Sequence, residues 1–589
     1  MQNRVIWALS LFFAFSNIPG EAQTIQVLKN RAKSPLGIQL NSNETAAAEQ
    51  GTIQLSSERE ILYTPSDSFT GEDRIRIADN SQTRSITVDV RSHPNFVFIL
   101  TDDQSWTGLS TPTDRNHSHS ASDYHQTPRI DQLAQSGMRF SRGYSPAPNC
   151  SPTRYANLTG KTCARLHFTD IVGRGHTLPP EGTYRLIPIS KEIRDIQENE
   201  RTLPELLKSI PDTRYRTAHL GKWHLDGGGP EKHGFDLSDG NTGNGEGNEG
   251  NPVNDDPKRA YSITERATRF ISDSVKTGDP FYCQVSHYAV HAAIQHRSDT
   301  LDKLAHLKPG NNHSSSAYAA MVADMDAAVG ILLNHLDALG LRQSTYVIYQ
   351  ADNGAPQFMS NAYPLRRYKP EIWEGGIRVP TFFRGPGIPE NSQCDQPMMG
   401  IDLLPTIWGL ASGHANQLPR DLDGTSISHW LFGDTNQVIQ RPGELVVHSP
   451  HYVVSEDLAK NQRPSSALHA GPWKLVAWYE TGDVHLFNLQ EDLSESIDQS
   501  KEHPQIKLQL WKRLRDYLVK VEAQLPKLDP VHEMNAGKGD DADADGLPDH
   551  WEFRHLLTHS LGPEDDPDGD GISNQIEHIR GTDPLLAQR

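Results

Sequence analysis

Between residues 23 and 92, polar and apolar residues alternate along the chain. The runs Gly51-Thr-Ile-Gln-Leu, Asp73-Arg-Ile-Arg-Ile and Ser85-Ile-Thr-Val-Asp-Val show this alternation most clearly. A period of two residues is typical of strands that bury one face, and turn-forming residues separate these runs. The pattern predicts a small β-sandwich over residues 23–92.

The pattern changes at Asn95, where a continuous apolar run begins. Residues 96–100 are apolar throughout, as expected for a central parallel strand that is buried on both faces. Further strands are predicted at 216–220, 281–285 and 345–349, and the clearest helix is predicted at 315–339. This alternation of strands and helices predicts an α/β domain over residues 93–440.

Three other segments complete the organisation of the chain. The Gly- and Asn-rich residues 239–256 predict a mobile surface loop inserted in the α/β domain. Residues 441–526 predict a smaller α+β subdomain, which a helix over 505–521 closes. Residues 540–589 form an acidic tail.

The first residues predict a signal peptide over residues 1–22. Arg4 precedes a short apolar run from Val5 to Phe15, and Gly20-Glu21-Ala22 resembles a cleavage site. This run is too short to span a bilayer core of about 30 Å, and no other segment is expected to be long and apolar enough. We therefore expect a soluble protein, periplasmic or secreted, with no transmembrane segment.

The net charge is −19 over 589 residues, and more than half of it lies in the tail. Residues 540–589 contain 13 acidic residues and 3 arginines, a balance of −10. This concentration indicates cation binding, and because no basic stripe offsets it, nucleic acid is not expected as a partner. The chain has too few cysteines for a disulfide scaffold: Cys150, Cys163, Cys283 and Cys394.

Polar side chains follow each of the four predicted strands of the α/β domain. In open α/β sheets ligands bind beyond the carboxyl ends of the strands, so these side chains are expected to meet. They are Asp102, Asp103, Lys222, His224, His291, Asp352 and Asn353. An Asp-Asp pair alone is more often a turn, but four such strand ends together indicate a site. The carboxylate and amide oxygens favour Ca²⁺ and also accept Mg²⁺.

Cys150 lies near a predicted helix start, in the sequence Cys150-Ser151-Pro152-Thr153-Arg154, with Thr159-Gly160 at the end of the run. Pro152 is predicted at the first helical position. The free amides and the dipole of a helix N-terminus favour an anion such as sulfate or phosphate. On this motif alone, a buried free cysteine is the alternative.

The pattern Cys-x-Pro-x-Arg followed by Thr-Gly resembles the motif of sulfatases. Further blocks of that family are similar to four segments, in the same order: Gly221-Lys-Trp-His-Leu, Tyr288-Ala-Val-His291, Gln350-Ala-Asp-Asn-Gly354 and Trp373-Glu-Gly-Gly-Ile-Arg-Val-Pro380. The resemblance extends from about residue 95 to residue 521. It implies an alkaline-phosphatase-like α/β sulfatase core, with the α+β subdomain as its C-terminal part, that hydrolyses sulfate esters.

The resemblance also implies roles for individual residues. In that family the cysteine, here Cys150, is oxidised to formylglycine by a maturation enzyme, and a hydroxyl of the aldehyde hydrate attacks sulfur. The resemblance implies that His291 protonates the leaving alcohol and that His224 then accepts a proton. Arg154 would hold formylglycine, and Lys222 and Lys369 would hold sulfate oxygens. The implied ligands of one catalytic Ca²⁺ are Asp102, Asp103, Asp352 and Asn353.

The surroundings of Lys369 depart from the family pattern. The family often has Leu-Arg-Gly-Gly-Lys, whereas this chain has Leu365-Arg366-Arg367-Tyr368-Lys369. The bulky side chains before the lysine change the shape expected for the substrate pocket. Candidate pocket residues are His287, Arg367, Tyr368 and His469. Resemblance to glycan-type sulfatases around residues 165–170, together with export, favours a sulfated carbohydrate as substrate.

The acidic tail matches a twelve-residue calcium loop twice. Oxygen-bearing side chains at positions 1, 3, 5, 9 and 12, with Gly at position 6, are what an oxygen cage around Ca²⁺ requires. The predicted structural calcium ligands are Asp541, Asp543, Asp545, Asp549 and Glu552 in the first loop and Asp566, Asp568, Asp570, Asn574 and Glu577 in the second. With Gly581-Thr-Asp-Pro584, the tail resembles thrombospondin type 3 repeats. A dockerin pair, which would imply a cohesin partner, and a solvated acidic tail are the alternatives.

The sequence leaves three functions open. The first is an exported sulfatase that acts on sulfated carbohydrate, in association with a cell surface or matrix. The N-terminal segment would then serve as a spacer, since Tyr63-Thr-Pro-Ser-Asp-Ser-Phe-Thr-Gly resembles cadherin-like or Ig-like modules. The second is a phosphonate or phosphodiester hydrolase of the same superfamily. The third is a calcium-dependent surface-binding protein with an inactive enzyme domain, against which the intact Cys150 and metal ligands argue.

Overall fold

The structure is a computed structural model of the chain. The residues that it describes are 24–29, 31–66, 69–79, 81–172, 186–187, 189, 195–412, 417–452, 463–528, 545–548, 551–552, 561–582 and 584. The predicted signal peptide at 1–22 lies outside them, as do Asp541, Asp543 and Asp549 of the first calcium loop. The chain divides into two compact units, Met1–Ser92 with Leu339–Gln343 and His93–Ala338 with Ser344–Arg589.

The N-terminal unit is built from antiparallel and parallel strand pairs in two sheets. Its strands are β1 (Thr24–Leu28), β2 (Ser34–Gln39), β3 (Thr45–Ala48), β4 (Gly51–Leu55), β5 (Glu60–Pro65), β6 (Gly71–Ala78) and β7 (Thr83–Arg91). The strand orders are β1-β7-β6-β3 and β2-β5-β4. Burial alternates along β5 and β6, so that Ile61, Tyr63, Ile75 and Ile77 enter one core. The period-two strands thus form as predicted, and the spacer role stays a prediction.

The second unit contains an eight-stranded sheet. Strands of this unit up to residue 399 are β8 (Asn95–Thr101), β9 (Met138–Phe140), β10 (Gly143–Tyr144), β11 (Leu186–Ile187), β12 (Arg216–Gly221), β13 (Leu237–Ser238), β14 (Phe281–Ser286), β15 (Thr345–Ala351), β16 (Thr381–Arg384), β17 (Ser392–Cys394) and β18 (Met398–Met399). The sheet order is β13-β12-β14-β8-β15-β16-β9-β17. The four strands predicted in the α/β domain are its parallel neighbours β12, β14, β8 and β15. Their carboxyl ends therefore lie along one edge.

Helices surround this sheet and continue into the C-terminal part. The described α-helices are α1 (Pro128–Gln135), α2 (Cys150–Thr159), α3 (Cys163–Leu166), α4 (Leu203–Lys208), α5 (Ala260–Thr277), α6 (Ser298–Leu304), α7 (Ser316–Ala338), α8 (Glu374–Ile377), α9 (Leu403–Ser412), α10 (Ser428–Leu431), α11 (Pro504–Lys520) and α12 (Asn574–Arg580). Helix α5 packs on β12 and β14, and α7 packs on α5.

Helix α2 begins two residues earlier than the sequence predicts. Cys150 is its first residue, so Pro152 is the third helical residue and not the first. Proline is tolerated there because the amides of the first turn have no partner within the helix. All ten residues of α2 are buried, and Gly160 ends the helix with a φ of 69°.

Helix α7 corrects one expectation about membrane spans. By length and composition it is apolar enough to cross a membrane, although no such segment beyond the N-terminus was expected. Most of its residues are buried inside the protein, and Asp324 and Asp326 on it accept hydrogen bonds from Arg297 and Ile130. We therefore assign α7 as a core helix of the α/β domain.

The C-terminal part of the second unit has its own antiparallel sheet. Its strands are β19 (Leu445–Ser449), β20 (Ser465–Ala470), β21 (Trp473–Trp478) and β22 (Val484–Asn488), and β23 (Lys527–Leu528) pairs with β11. Helix α11 packs across this sheet. Leu547, Trp551 and Leu561 of the acidic tail are buried in the same core as Trp511 and Leu514.

Candidate active site

The ends of β8 and β15 bring three carboxylates and an amide together. Asp102 and Asp103 follow β8, Asp352 and Asn353 follow β15, and all four are at most 2% exposed. The backbone N–H of Asp103 donates to Asp352 Oδ1 at 3.1 Å, and Asn353 Nδ2 donates to Asp103 Oδ1 at 2.7 Å. Hydrogen bonds thus join three of the four predicted metal ligands, and the fourth, Asp102, precedes Asp103 in the chain.

Two cations from other elements neutralise part of this cluster. Lys222, which follows β12, donates from Nζ to Asp102 Oδ2 at 2.5 Å. Arg154, on α2, donates from Nη2 to Asp352 Oδ2 at 2.7 Å and from Nη1 to the carbonyl oxygen of Lys222 at 2.6 Å. Both side chains are at most 2% exposed, so these ion pairs are strong and poorly screened by solvent.

Cys150 lies at the centre of these charges. Its Sγ is 3.5 Å from Asp102 Oδ1 and 3.1 Å from the Nζ of Lys369, which also donates to Asp103. Burial raises the pKa of the Cys150 thiol to about 12, although Lys222 and Lys369 act in the opposite direction. A thiol in this state is protonated at neutral pH and is a poor nucleophile. The position therefore suits a side chain other than a thiol as nucleophile.

The donor set of the cluster fits a hard divalent cation. Burial alone would raise the pKa of Asp102, but the surrounding cations, Lys222 most strongly, hold it well below its usual range. Burial and the neighbouring Asp102 raise the pKa of Asp352 to about 6, so the ionised form of this carboxylate gains from a further positive charge beside it. Asn353 Oδ1 is buried without a hydrogen-bond partner among the described residues. A bound metal ion would satisfy both groups.

Two histidines are neutral at the edge of the cluster. His291 Nε2 lies 3.7 Å from Asp103 Oδ2, and its Nδ1 is bonded to the carbonyl oxygen of Ala292 at 2.5 Å, so the neutral ring carries its proton on Nδ1. Burial lowers the pKa of His291. Burial, followed by Lys222 and Arg154, lowers the pKa of His224 to about 2. A negatively charged ligand would raise both values, because it favours the imidazolium form.

Ligand atoms of Asp102, Asp103, Cys150 and His291 lie within 4.8 Å of one another. The structure therefore unites the predicted nucleophile position, the metal ligands, both lysines, Arg154 and one histidine in a single buried site.

The four candidate pocket residues have different placements. Arg367 is half-exposed, and its Nε lies 3.8 Å from Glu371 Oε2. Tyr368 is partly buried against Trp106 and Leu365. His287 is 0% exposed and buries both ring nitrogens without a hydrogen-bond partner among the described residues. Only the first two lie at a surface, and the role of His287 in binding substrate stays a prediction.

His469 belongs to a different cluster, and its predicted role in the pocket stays a prediction. Its side chain is 0% exposed, and Nε2 is bonded to Glu374 Oε1 at 3.0 Å. Lys474 Nζ donates to the same carboxylate oxygen at 3.1 Å and to the carbonyl oxygen of Ile372 at 2.9 Å. Glu495 accepts from the backbone N–H of Glu374 at 2.8 Å. This cluster fixes the segment that follows Lys369 onto the C-terminal sheet.

The second calcium loop has an arrangement that fits a cation. Carboxylate oxygens of Asp566, Asp568 and Asp570 lie within 4.8 Å of one another. Asn574 and Glu577, on α12, are 0% exposed, and Asn574 Oδ1 has no hydrogen-bond partner among the described residues. Gly571, at position 6 of the loop, has a φ of 87°, which favours glycine. Of the first loop, the structure describes Asp545 and Glu552.

Comparison with known proteins identifies the family. The family model described as "Sulfatase" matches residues 94–414, more than half of the chain. The chain belongs to the sulfatase family. The sulfatase is accordingly a sulfuric ester hydrolase, and members of the family generally use formylglycine and a metal ion.

Two relatives and one solved structure illustrate this similarity. A protein named "Sulfatase" from Formosa agariphila is 28% identical over 75% of this chain and 91% of its own length. An "Ulvan-active sulfatase" from the same organism is 27% identical over 58% of this chain and 66% of its own length. The crystal structure of Ps i-CgsB in complex with k-i-k-neocarrahexaose has a TM-score of 0.57 and 22% identity, and covers 76% of this chain and 97% of that one. The last supports the predicted alkaline-phosphatase-like α/β fold of this sulfatase.

One residue near the site, Lys258, belongs to none of the sequence motifs described above. Lys258 precedes α5 and is 1% exposed, and its charge interacts with Asp102, Asp103 and Lys222. In the sequence it appears only as a lysine after the Gly- and Asn-rich segment 239–256. Its inward position depends on tertiary contacts that no local pattern specifies.

Proposed function

We propose that this sulfatase is an exported enzyme that removes sulfate esters from sulfated carbohydrates, with formylglycine derived from Cys150 and one Ca²⁺. The observation that carries the proposal is the position of Cys150 between Lys369 and the carboxylates of Asp102 and Asp103. Similarity to an ulvan-active sulfatase supports the carbohydrate class of the substrate. The N-terminal pattern of residues 1–22 supports export to the periplasm or beyond.

Two groups would complete the site. Asp102, Asp103, Asp352 and Asn353 would hold Ca²⁺, which supplies positive charge beside the sulfate group. Formylglycine at position 150 supplies a hydroxyl nucleophile in its hydrated form, and requires a maturation enzyme as a partner. The buried thiol with its pKa near 12 supports this replacement, because it would be a poor nucleophile itself.

Individual residues of the chain then have separate roles in hydrolysis. Lys222 and Lys369 bind sulfate oxygens and stabilise the negative charge that develops there. Arg154 fixes the side chain at position 150. A sulfate ester raises the pKa of His291, so that Nε2 carries a proton for the leaving alcohol. Bound sulfate favours the imidazolium form of His224 and so raises its otherwise low pKa, which allows this ring to accept a proton in the step that releases sulfate.

The proposal is tested by activity together with mass spectrometry. Protein from its native host, or co-produced with a maturation enzyme, should hydrolyse 4-nitrophenyl sulfate faster than 4-nitrophenyl phosphate. The peptide that contains Cys150 should weigh about 18 Da less than the thiol form, since sulfur is exchanged for oxygen with loss of two hydrogens. A preference for phosphate, or a fully active enzyme with an unmodified thiol, would refute the proposal.

The tail is proposed to bind structural Ca²⁺ through Asp566, Asp568, Asp570, Asn574 and Glu577. Asn574 Oδ1 is buried and has no hydrogen-bond partner in the part of the chain that the structure describes, which supports this assignment, as does the match to the twelve-residue loop. We propose the same for the first loop, and a thrombospondin type 3-like arrangement that attaches the enzyme to a surface or matrix. Calcium titration of wild-type protein by calorimetry should reveal sites beyond the catalytic one.

A further inference from the structure

The Gly- and Asn-rich segment 239–256 lies against both histidine segments of the active site. The backbone N–H of His224 donates to the carbonyl oxygen of Thr242 at 2.7 Å. Asn248 Oδ1 accepts from the backbone N–H of Ala293, two residues beyond His291, at 3.2 Å. The segment therefore forms part of the wall around the reacting groups, where it can contact a substrate.

The buried side chain of Lys258 contacts segment 239–256 from the protein interior. Its Nζ donates to Asn248 Oδ1 at 2.7 Å, and the residue is 1% exposed. Within the described residues no carboxylate lies within 4.0 Å of this ammonium group. Lys222 and Lys369 differ in this respect, because each has an aspartate partner in the cluster. Lys258 is thus a buried cation with a neutral amide as its bonded partner.

The backbone conformation that places Lys258 here is energetically unfavourable. Lys258 and Arg259 both have φ of 53°, a left-handed conformation that costs a non-glycine residue about 1 kcal/mol or more. The backbone N–H of Lys258 donates to Gln295 Oε1 at 2.8 Å, and Gln295 Nε2 donates to the carbonyl oxygen of Glu249 at 3.0 Å. Two neighbouring segments therefore fix a conformation that directs the ammonium group inward.

The charges of the active site act on the ammonium group of Lys258. Burial lowers the pKa of Lys258 to about 8, while Asp102 raises it and Lys222 lowers it further. A buried ammonium without an ion-pair partner is destabilising, and an anion that binds beside it removes that penalty.

We propose that Lys258 binds a second anionic group of the substrate, a carboxylate or another sulfate, next to the sulfate ester that is hydrolysed. The inference rests on the proposed function and adds to it a substrate with at least two negative charges. The reacting sulfate engages Lys222 and Lys369, so the positive charge of Lys258 is available for a different group.

The test measures competition against 4-nitrophenyl sulfate with matured enzyme in Ca²⁺. The competitors are three disaccharides with the same reacting sulfate: one otherwise neutral, one with a second sulfate and one with a uronate in the neighbouring ring. For wild-type protein we expect the inhibition constant of one of the doubly charged sugars to be at least tenfold lower than that of the neutral one. The doubly charged sugar with the lower inhibition constant shows whether a sulfate or a carboxylate is recognised.

The variants are Lys258→Met and Lys258→Arg, with Arg259→Met as the matched control, since Arg259 is half-exposed and pairs with Glu249. The ratio of the inhibition constant of the neutral sugar to that of the preferred doubly charged sugar should be at least ten in wild-type protein. This ratio should fall to about one in Lys258→Met, recover in part in Lys258→Arg, and persist in Arg259→Met. A ratio near one in wild-type protein, or an unchanged ratio in Lys258→Met, would overturn the inference. If Lys258→Met fails to fold, Lys258→Gln provides the same comparison.

The two proposals fail in different ways. A wild-type enzyme that does not hydrolyse 4-nitrophenyl sulfate refutes the proposed function. A wild-type enzyme that hydrolyses it but binds all three sugars equally refutes only the role of Lys258.

Discussion

At the scale of single residues, opposite charges in the active site balance. Three aspartates, Asp102, Asp103 and Asp352, face three cations, Lys222, Lys369 and Arg154. A divalent cation that binds here adds two positive charges in a buried volume, and an inorganic sulfate dianion then restores neutrality. Because coupling between two ligands is reciprocal, each should strengthen the binding of the other.

We therefore expect sulfate binding to depend on calcium. Calorimetric titration of the matured enzyme with inorganic sulfate should give an affinity at least tenfold higher in Ca²⁺ than after chelation. Titration with a neutral sugar should give no such difference. Equal sulfate affinity in both states would contradict the coupling.

Lys222→Met should lower kcat/KM for 4-nitrophenyl sulfate by about 10²–10³-fold, the usual loss when one charged contact to a transition state is removed. The variant also leaves Asp102 without its 2.5 Å partner, so Ca²⁺ affinity is expected to change as well. Lys208→Met serves as a control, since Lys208 forms an exposed ion pair with Asp236. A decrease in kcat/KM of less than threefold in Lys222→Met would show that this lysine does not stabilise the transition state.

At the scale of elements, a carboxylate of one helix caps another. Asp326, on α7, accepts from the backbone N–H groups of Arg129 and Ile130 in the first turn of α1, at 3.1 and 2.8 Å. These amides have no partner within α1, so the contact joins the two helices. Burial nevertheless raises the pKa of Asp326 to about 7.

This raised pKa predicts a pH-dependent stability. The folded protein binds the Asp326 proton more tightly than the unfolded chain, whose carboxyl titrates near 3.8. The free energy of unfolding should therefore fall as pH rises from about 4 to 7, by about 4 kcal/mol at most for this group. Urea unfolding followed by tryptophan fluorescence should show a smaller fall over this range in Asp326→Asn. Asp302→Asn, at an exposed position of α6, should keep the wild-type slope.

At the scale of the molecule, the acidic tail is attached to the C-terminal sheet. Leu547, Trp551 and Leu561 share a core with Trp511 and Leu514 of α11. Calcium binding in the tail should therefore stabilise the C-terminal part of the second unit, because a ligand that binds only the folded state adds to its stability.

Glu577→Gln should reduce the gain in melting temperature on addition of Ca²⁺, since Glu577 is a buried predicted ligand at position 12 of its loop. The value of kcat/KM for 4-nitrophenyl sulfate should stay within twofold of wild type. Exposed Glu522→Gln, outside the loops, is the matched control. An unchanged thermal response in Glu577→Gln would exclude this residue as a calcium ligand.

Sequence patterns predicted the parts of the site that follow from strand order. The sequence predicted strands β8, β12, β14 and β15, and the rule that ligands bind beyond the carboxyl ends of strands then predicted that their polar residues meet. The pattern did not reveal that His469 pairs with Glu374, 95 residues earlier in the chain, or that Lys258 points inward. Such contacts depend on how distant segments pack, which neither periodicity nor motif encodes.

The complete burial of α2 has a consequence for the timing of biosynthesis. Cys150 is 1% exposed, so an enzyme that modifies it must act before the domain closes. Lys369, which contacts its sulfur, is made 219 residues later. At ribosomal rates of about 5–20 residues per second, this separation corresponds to about 10–45 s of chain growth. The sequence distance between the two residues thus sets a minimum period in which the nascent chain would present Cys150 to the proposed maturation enzyme.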